Sequence, residues 1–140
     1  MIRLVLDTNL IVSFALSPNG LAAVIFEMVA AGLVRLFISR AVVDEYVDVL
    51  GRRELHIPSA ARRRVLRAIE LDALWVPETS RIEACSDPDD NIFLECAEAA
   101  KAHYLITENV RHFPKTWKYT RVLRPGQFLK LWETQKPLGL

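Results

Sequence analysis

The feature that most constrains the fold is an alternation of short apolar segments with longer segments of helical periodicity. The short segments predict strands at residues 2–6, 34–38, 73–76 and 104–107, with 121–123 as a candidate fifth. The longer segments predict helices at residues 21–31, 40–50, 58–71, 88–102 and 125–132. Strands that alternate with helices usually pair in parallel and are covered on both faces. We therefore expect an α/β fold, a three-layer α/β/α sandwich with a central parallel sheet of four to five strands.

Length and composition limit the possible classes of protein. The chain has 140 residues, which predicts a single domain over residues 1–133 and a C-terminal tail over 134–140. Its net charge is only +1, so a globally basic nucleic-acid binder is not indicated, although a local basic patch is compatible with it. No segment approaches the ~20 apolar residues of a membrane span. Cys85 and Cys96 lack metal-ligand spacing, so we expect a cytoplasmic protein with reduced thiols and no membrane association.

Residues 4–12, LVLDTNLIV, place a carboxylate, a hydroxyl and an amide within an apolar run. A buried ionised carboxylate is costly unless it is paired, hydrogen-bonded or bound to a metal. One interpretation of Asp7 is a local turn in which polar side chains bond the nearby backbone. In parallel sheets, however, ligands bind beyond the carboxyl ends of the strands. Asp7 and the residues after Thr107 should therefore meet at one rim if their strands are neighbours.

Two further acidic features accompany Asp7. Glu45 falls at the edge of a predicted apolar helix face formed by residues 42, 43, 46, 47, 49 and 50, where it is either a boundary residue or faces a cleft. The segment DPDDN, residues 87–91, is a helix start with Asp87 as the cap and Pro88 in the first turn. That explanation does not require three aspartates, which repel one another. A divalent cation would relieve the repulsion, and oxygen ligands of this kind suit Mg²⁺ or Mn²⁺.

The segment LITENVRHF follows the fourth predicted strand. Thr107 and Asn109 can hydrogen-bond metal waters or a phosphate, and Glu108 can add negative charge. The alternative is that Thr107 or Asn109 caps a helix. His112 is either a base or, more commonly for a single histidine, a packed or surface residue.

One stretch of the chain is strongly basic. Its arginines lie on a predicted loop and on the polar side of the following helix, and a phosphate-contacting patch would comprise Arg52, Arg53, Arg63, Arg64 and Arg67. The alternative is a solvated helix face. A basic stretch beside an acidic cluster suits RNA handling, in which the basic part binds RNA and the acids hold metal.

The order and spacing of these motifs resemble the PIN domain. DTN follows the first strand, an acid lies in the second βα unit, DPDDN precedes an apolar helix, and LITEN with HF follows the next strand. The resemblance covers roughly residues 2–123 and is closest to the VapC-type toxins of bacterial and archaeal toxin–antitoxin pairs. It implies a metal-dependent endoribonuclease that leaves a 5′-phosphate and a 3′-hydroxyl, with RNA as substrate, a cognate antitoxin protein as partner, and a homodimeric state.

The resemblance also assigns roles to residues. It places the catalytic and metal-binding acids at Asp7, Glu45 and Asp90, with Mg²⁺ or Mn²⁺ as the cofactor. Where the family has a fourth acid this chain has Asn109, so the number of metal ions is open. The residues expected to support the site are Thr8, Asn9, Asp87, Thr107 and Asn109. The alternative function is a catalytically weakened PIN-like module that binds RNA or a protein partner.

Overall fold

Six strands form one sheet in the computed structural model, which describes residues 1–135. The strands are β1 (Arg3–Leu6), β2 (Arg35–Ile38), β3 (Leu74–Trp75), β4 (Tyr104–Ile106), β5 (Thr116–Trp117) and β6 (Thr120–Leu123). Six α-helices flank the sheet: α1 (Thr8–Leu16), α2 (Leu21–Ala30), α3 (Arg40–Leu50), α4 (Ser59–Asp72), α5 (Asn91–Ala100) and α6 (Pro125–Gln135). Three short 3₁₀ helices, Arg53–Leu55, Pro88–Asp90 and Val110–His112, lie in the connections. The α/β sandwich predicted from the sequence is confirmed.

The strand order is β3-β2-β1-β4-β6-β5, and every pair except the last is parallel. β5 pairs antiparallel with β6 through a turn in which Lys118 has a φ of 51°. The sequence prediction had four to five strands and lacked this hairpin. A strand of two residues carries no periodicity, which is why the pattern did not reveal it.

Helix α1 was not predicted, because residues 4–12 were interpreted as an interrupted apolar run. The strand ends at Leu6, and Asp7 is the N-cap of α1, its side chain accepting a hydrogen bond from the backbone N–H of Thr8. The helix is apolar around much of its circumference, with Leu10 and Ile11 fully buried. A helix of this kind lacks the polar face by which periodicity is recognised.

Most helix boundaries agree with the sequence signals. Ser39 caps α3 and accepts a hydrogen bond from the backbone of Val42, and Gly51 ends the helix. The predicted helix at residues 88–102 is divided into the 3₁₀ turn Pro88–Asp90 and α5, whose C-cap Lys101 has a left-handed φ of 50°. Helix α6 continues to Gln135, two residues beyond the predicted domain end, and the remainder of the predicted tail, 136–140, lies outside the described residues.

The buried face of α3 is narrower than predicted. Its fully buried residues are Val42, Tyr46 and Leu50, one turn apart, whereas Val47, which was placed on the apolar face, is 50% exposed. The Tyr46 hydroxyl donates a hydrogen bond to the Leu6 carbonyl at the end of β1. This bond fixes α3 against the residue that precedes Asp7, so the core positions the start of α1.

Within residues 1–135, no single helix has the length and apolar character needed to cross a membrane. Helices α1 and α2 reach that length and composition only as a pair, and they are bent by 100° relative to each other.

We predict that Tyr46→Phe lowers the free energy of unfolding by about 1–2 kcal/mol, because it removes the donor to a buried carbonyl and leaves the ring in place. Urea unfolding followed by circular dichroism measures the change. Tyr104→Phe is the matched control, since the Tyr104 hydroxyl has no hydrogen bond within the described residues, and it should cost less than about 0.5 kcal/mol. Equal losses in both variants would contradict the anchoring role of the Tyr46 hydroxyl.

Candidate active site

A cleft of about 590 Å³ opens at the carboxyl ends of β1 and β4. Loops and helix starts that follow these strands supply most of its polar lining, and α3 and the 3₁₀ helix Pro88–Asp90 supply the rest. The side chains of interest that line it are Asp7, Thr8, Asn9, Glu45, Asp87, Asp89, Asp90, Asn109 and His112. Asp7, Glu45, Asp87 and Asp90 therefore share one cleft, as the rule for parallel sheets predicts, whereas Glu108, also considered from the sequence, does not line it.

Asp7 is held in one orientation by its neighbours. It is only 6% exposed, and one carboxylate oxygen accepts from the Thr8 N–H at 2.7 Å. The other oxygen accepts from the Thr107 hydroxyl at 2.7 Å and from the Asn9 amide at 3.2 Å. Burial raises the pKa of Asp7, and the hydrogen bonds from Thr107 and Thr8 oppose that rise. Asp7 is thus both a helix cap and a fixed carboxylate on the cleft wall.

Asn9 and Thr107 join the β1 and β4 loops. The Asn9 side chain donates to the Thr107 hydroxyl at 3.3 Å and accepts from the Glu108 backbone N–H at 3.2 Å. The Thr107 hydroxyl also accepts from the Asn109 N–H at 2.9 Å. With its backbone N–H engaged, Asn109 has its side chain on the lining of the cleft. Thr107 holds the Asp7 carboxylate in position through its hydroxyl.

Asp90 has an unusual environment for a carboxylate. Its side chain is 18% exposed, and the buried oxygen Oδ2 has no hydrogen-bond partner within the described residues. The His112 Nδ1 lies 3.4 Å from that oxygen. Burial, followed by the negative charges of Asp7 and Asp87, raises the pKa of Asp90 to about 6, and His112 partly offsets the rise. A cation at this position would satisfy the oxygen and offset the repulsion.

Glu45 enters the cleft from α3. Burial raises its pKa, with further contributions from Asp48, Asp89 and Asp7, while Arg52 lowers it. Like Asp90, it is a carboxylate whose charge is disfavoured by the acids around it.

Asp87 acts mainly as a cap. Its side chain accepts from the Asp89 N–H at 3.0 Å at the start of the 3₁₀ helix, as the sequence predicted. Thr8 contributes a buried hydroxyl, and its Oγ1 has no hydrogen-bond partner within residues 1–135. Thr8 therefore retains an unused polar atom beside the acids.

The donor set fits a hard divalent cation. Several carboxylates line the cleft, one buried carboxylate oxygen lacks a partner, and oxygen donors of this kind suit Mg²⁺ or Mn²⁺. Within the described residues, no three His, Cys, Asp or Glu side chains are already arranged around a common point that could hold a metal. Mg²⁺ commonly keeps several waters and takes only one or two carboxylates directly, so the fit does not require three direct protein ligands.

The basic residues named from the sequence are not gathered at the cleft. Arg52 lines it and pairs with Asp48 at 3.0 Å, and Arg53 is exposed on the adjacent 3₁₀ helix. Arg63 and Arg67 are exposed on α4 and line a separate surface concavity. The Arg64 guanidinium lies 5.5 Å above the Phe14 ring and donates to two carbonyls near the end of α1, those of residues 14 and 15. Arg64 thus has a structural contact that the sequence did not indicate.

Two cleft residues received little weight from the sequence. A single histidine is more commonly a packed or surface residue, and the His112 side chain is half exposed, but its Nδ1 also lies 3.4 Å from Asp90. The sequence explains Asp89 as part of an acidic helix start, and in the structure Asp89 also lines the cleft. The sequence contains no periodic signal for His112, because it reaches the cleft through a short 3₁₀ helix.

Comparison with known proteins assigns the family. A family model described as PIN domain matches residues 3–111, and the chain belongs to the PIN domain family. Proteins of this family are generally nucleases and typically use divalent metal ions. A search of curated proteins gives no significant match.

One solved structure shows the same fold. It is the crystal structure of VapBC2 from Rickettsia felis bound to a DNA fragment from their promoter. The match has a TM-score of 0.57 and 15% sequence identity, and it covers 88% of this chain and 98% of that chain.

We predict that, without divalent cations, Asp90→Asn stabilises the protein at pH 7 by about 1 kcal/mol after allowance for solvent screening. The folded-state pKa is raised from 3.8 to about 6, so ionisation penalises the folded state. Stability of the wild type should therefore fall as pH rises from about 4 to about 6, and the gain in Asp90→Asn should vanish near pH 4.

Urea unfolding in EDTA across this pH range tests the prediction. Asp44→Asn, at an exposed position on α3, is the control and should show no comparable pH dependence of the difference. A variant Asp90→Asn that is less stable than the wild type at pH 7 would contradict the electrostatic account.

Proposed function

We propose that the protein is a metal-dependent endoribonuclease that hydrolyses RNA phosphodiester bonds and acts as the toxin of a toxin–antitoxin pair. The observation that carries the proposal is the buried Oδ2 of Asp90, which has no hydrogen-bond partner within the described residues and only His112 Nδ1 nearby, at 3.4 Å, in a cleft that Asp90 shares with Asp7 and Glu45. A fold needs no such concentration of carboxylates for stability, because each raises the cost of ionising the others. Membership of a family that is generally nucleolytic supplies the reaction class.

In this proposal Asp7, Glu45 and Asp90 hold Mg²⁺ or Mn²⁺. When bound, the ion would supply a water of lowered pKa and neutralise charge on the phosphoryl group. Asp7 contributes a carboxylate whose orientation is fixed by Thr8 and Thr107.

The supporting residues have distinct tasks. Asn9 and Thr107 hold the β1 and β4 loops together, and Asp87 caps the turn that presents Asp90. In this proposal the Asn109 amide, which lines the cleft, binds a water or a phosphate oxygen, and the buried Thr8 hydroxyl supports the acids beside it. Hydrolysis with water as nucleophile would leave a 5′-phosphate and a 3′-hydroxyl.

The substrate is proposed to be RNA. Arg52 lines the cleft, so it is the arginine best placed to contact an RNA phosphate there. Arg53 is exposed beside it. Arg63 and Arg67 would extend the contact along α4, whereas Arg64 is partly engaged by α1.

The toxin role rests on the VapC-type resemblance of the motifs and on the shared fold with a VapBC2 chain. It implies a cognate antitoxin protein as partner, a homodimer and a cytoplasmic location. The arginines of α4 are an alternative docking site for an acidic antitoxin segment.

A second candidate is a PIN-like module that binds RNA or a protein partner with weak or no catalysis. The observation that favours it is Asn109, which lines the cleft where the family pattern has an acid. Loss of one carboxylate lowers the affinity for a divalent cation.

We predict that Asp7→Asn and Asp90→Asn each reduce RNA cleavage in Mg²⁺ or Mn²⁺ by more than about a hundredfold, since removal of a residue that only orients a metal ligand already costs about 10–100-fold. Addition of EDTA should abolish wild-type cleavage. A labelled single-stranded RNA resolved by gel electrophoresis gives the rates and the product ends.

Asp44→Asn is the control for a change of charge outside the cleft and should retain wild-type cleavage. Equal rates in all variants would reject the acidic site. Absence of cleavage by the wild type, with RNA binding intact, would favour the binding module.

We predict that Asn109→Asp strengthens Mn²⁺ binding at least about tenfold or adds a second bound equivalent, because it restores a carboxylate to the cleft. Isothermal titration calorimetry reports both quantities. Asn19→Asp, the same chemical change in an exposed loop, should leave Mn²⁺ binding unchanged. Identical titrations for Asn109→Asp and the wild type would show that position 109 does not contribute to the metal site.

A further inference from the structure

A second concavity lies on the other side of the 3₁₀ helix Val110–His112. It has a volume of about 680 Å³, within the roughly 300–1,000 Å³ of typical ligand clefts. Its apolar lining includes Phe113, Val122 and Leu123, which are largely buried. We call this concavity, lined by residues of the segment 110–116, of β6 and of the start of α6, the basic groove.

The charged lining of the basic groove is entirely cationic. Arg111, Lys115 and Arg121 line it, and no acidic side chain does. Within residues 1–135, none of these three side chains forms an ion pair or a hydrogen bond, although Lys118, Arg52 and Arg40 do form ion pairs. Three exposed cations around one concavity repel one another, so an anion with several charges would be favoured there.

The basic groove is adjacent to the acidic cleft. Asn109 and His112 line the cleft, while Val110, Arg111 and Phe113 line the groove. A single short 3₁₀ helix therefore separates the two. The Arg124 side chain donates a hydrogen bond to the Glu108 carbonyl at 2.8 Å. This bond connects the residue before α6 to the loop that leads into the 3₁₀ helix Val110–His112.

We propose that the basic groove binds the single-stranded RNA that continues from the scissile phosphate, with its phosphates on Arg111, Lys115 and Arg121. This inference rests on the proposed ribonuclease function and extends it by assigning the path of the flanking strand. A strand whose phosphodiester lies in the cleft must leave it, and the groove begins across one turn of backbone. The apolar floor offers a surface against which a base can pack.

The placement of the charges favours RNA over an acidic peptide. A nucleic acid carries a charge at every residue and is already required at the neighbouring cleft, whereas a peptide ligand would need a separate reason to lie there. The arginines of α4 named earlier lie in a different concavity, so the groove is a separate candidate contact.

The test measures RNA binding without cleavage. The probe is a fluorescein-labelled single-stranded oligouridylate, titrated in EDTA and followed by fluorescence anisotropy over a range of salt concentrations. The variant Lys115→Gln/Arg121→Gln removes two groove charges without introducing acids. We expect its Kd to rise at least about tenfold and its salt slope to fall by about 1.4, which is the change for two lost single-strand phosphate contacts.

The matched control is Lys130→Gln/Arg35→Gln. Both residues are exposed, one on α6 and one on β2, and neither lines the groove. This control has the same change in net charge and should retain wild-type affinity and salt slope. Thermal unfolding of both double variants establishes that each is folded at the temperature of the titration.

Each outcome decides the inference. Wild-type affinity in the groove variant, an equal loss in the control, or a wild type that does not bind the RNA would overturn it. A labelled oligoglutamate provides a second arm, and loss of its binding alone in the groove variant would assign the groove to an acidic peptide instead. Because the readout is binding in EDTA, a wild type that fails to cleave RNA defeats the ribonuclease proposal and leaves the groove to be decided by the titration.

Discussion

The site depends on the parallel pairing of β1 with β4 and on the hydrogen bond that closes that pairing. The Asp7 backbone N–H donates to the Ile106 carbonyl at 2.9 Å, and the Thr107 hydroxyl donates to the Asp7 carboxylate at 2.7 Å. The backbone bond sets the register in which the two loops leave the sheet. The side-chain bond then fixes a buried carboxylate whose burial would otherwise favour protonation. The other acids of the cleft lie on the same lining as this fixed group.

The remaining acids are brought to Asp7 by elements that carry their own stabilising contacts. Tyr46 holds α3 to the end of β1, which places Glu45 at the cleft, and Asp87 caps the turn that presents Asp90. Because the acids repel one another, the helix caps and the core contacts must offset that repulsion for the acids to be held together. This separation explains how a raised carboxyl pKa can coexist with a well-packed fold.

The sequence predicted those parts of the site that follow from local rules. Strand alternation, with the rule that ligand sites lie beyond the carboxyl ends of parallel strands, predicted that Asp7 lies near Thr107. The preference for Asp at helix starts identified Asp87 as a cap. It did not predict α1 or β5, because one lacks a polar face and the other is too short to have a period. It also could not place His112 beside Asp90, since that contact depends on how a loop packs across the sheet.

The net charge of the chain is near zero, but folding gathers negative charges at the cleft and positive charges at the groove. Acids from distant parts of the sequence, including Asp7, Glu45 and the segment 87–90, converge on the cleft. Arg111, Lys115 and Arg121 converge on the groove beside it, and strand β5 with its turn separates Lys115 from Arg121. The cations of the groove form no charge run in the sequence, and the acids of the cleft do so only in DPDD, residues 87–90. A polyanionic strand would be repelled by the cleft without a cation and attracted by the groove at all times. In the proposed function, RNA binding at the groove would then be partly independent of metal binding at the cleft.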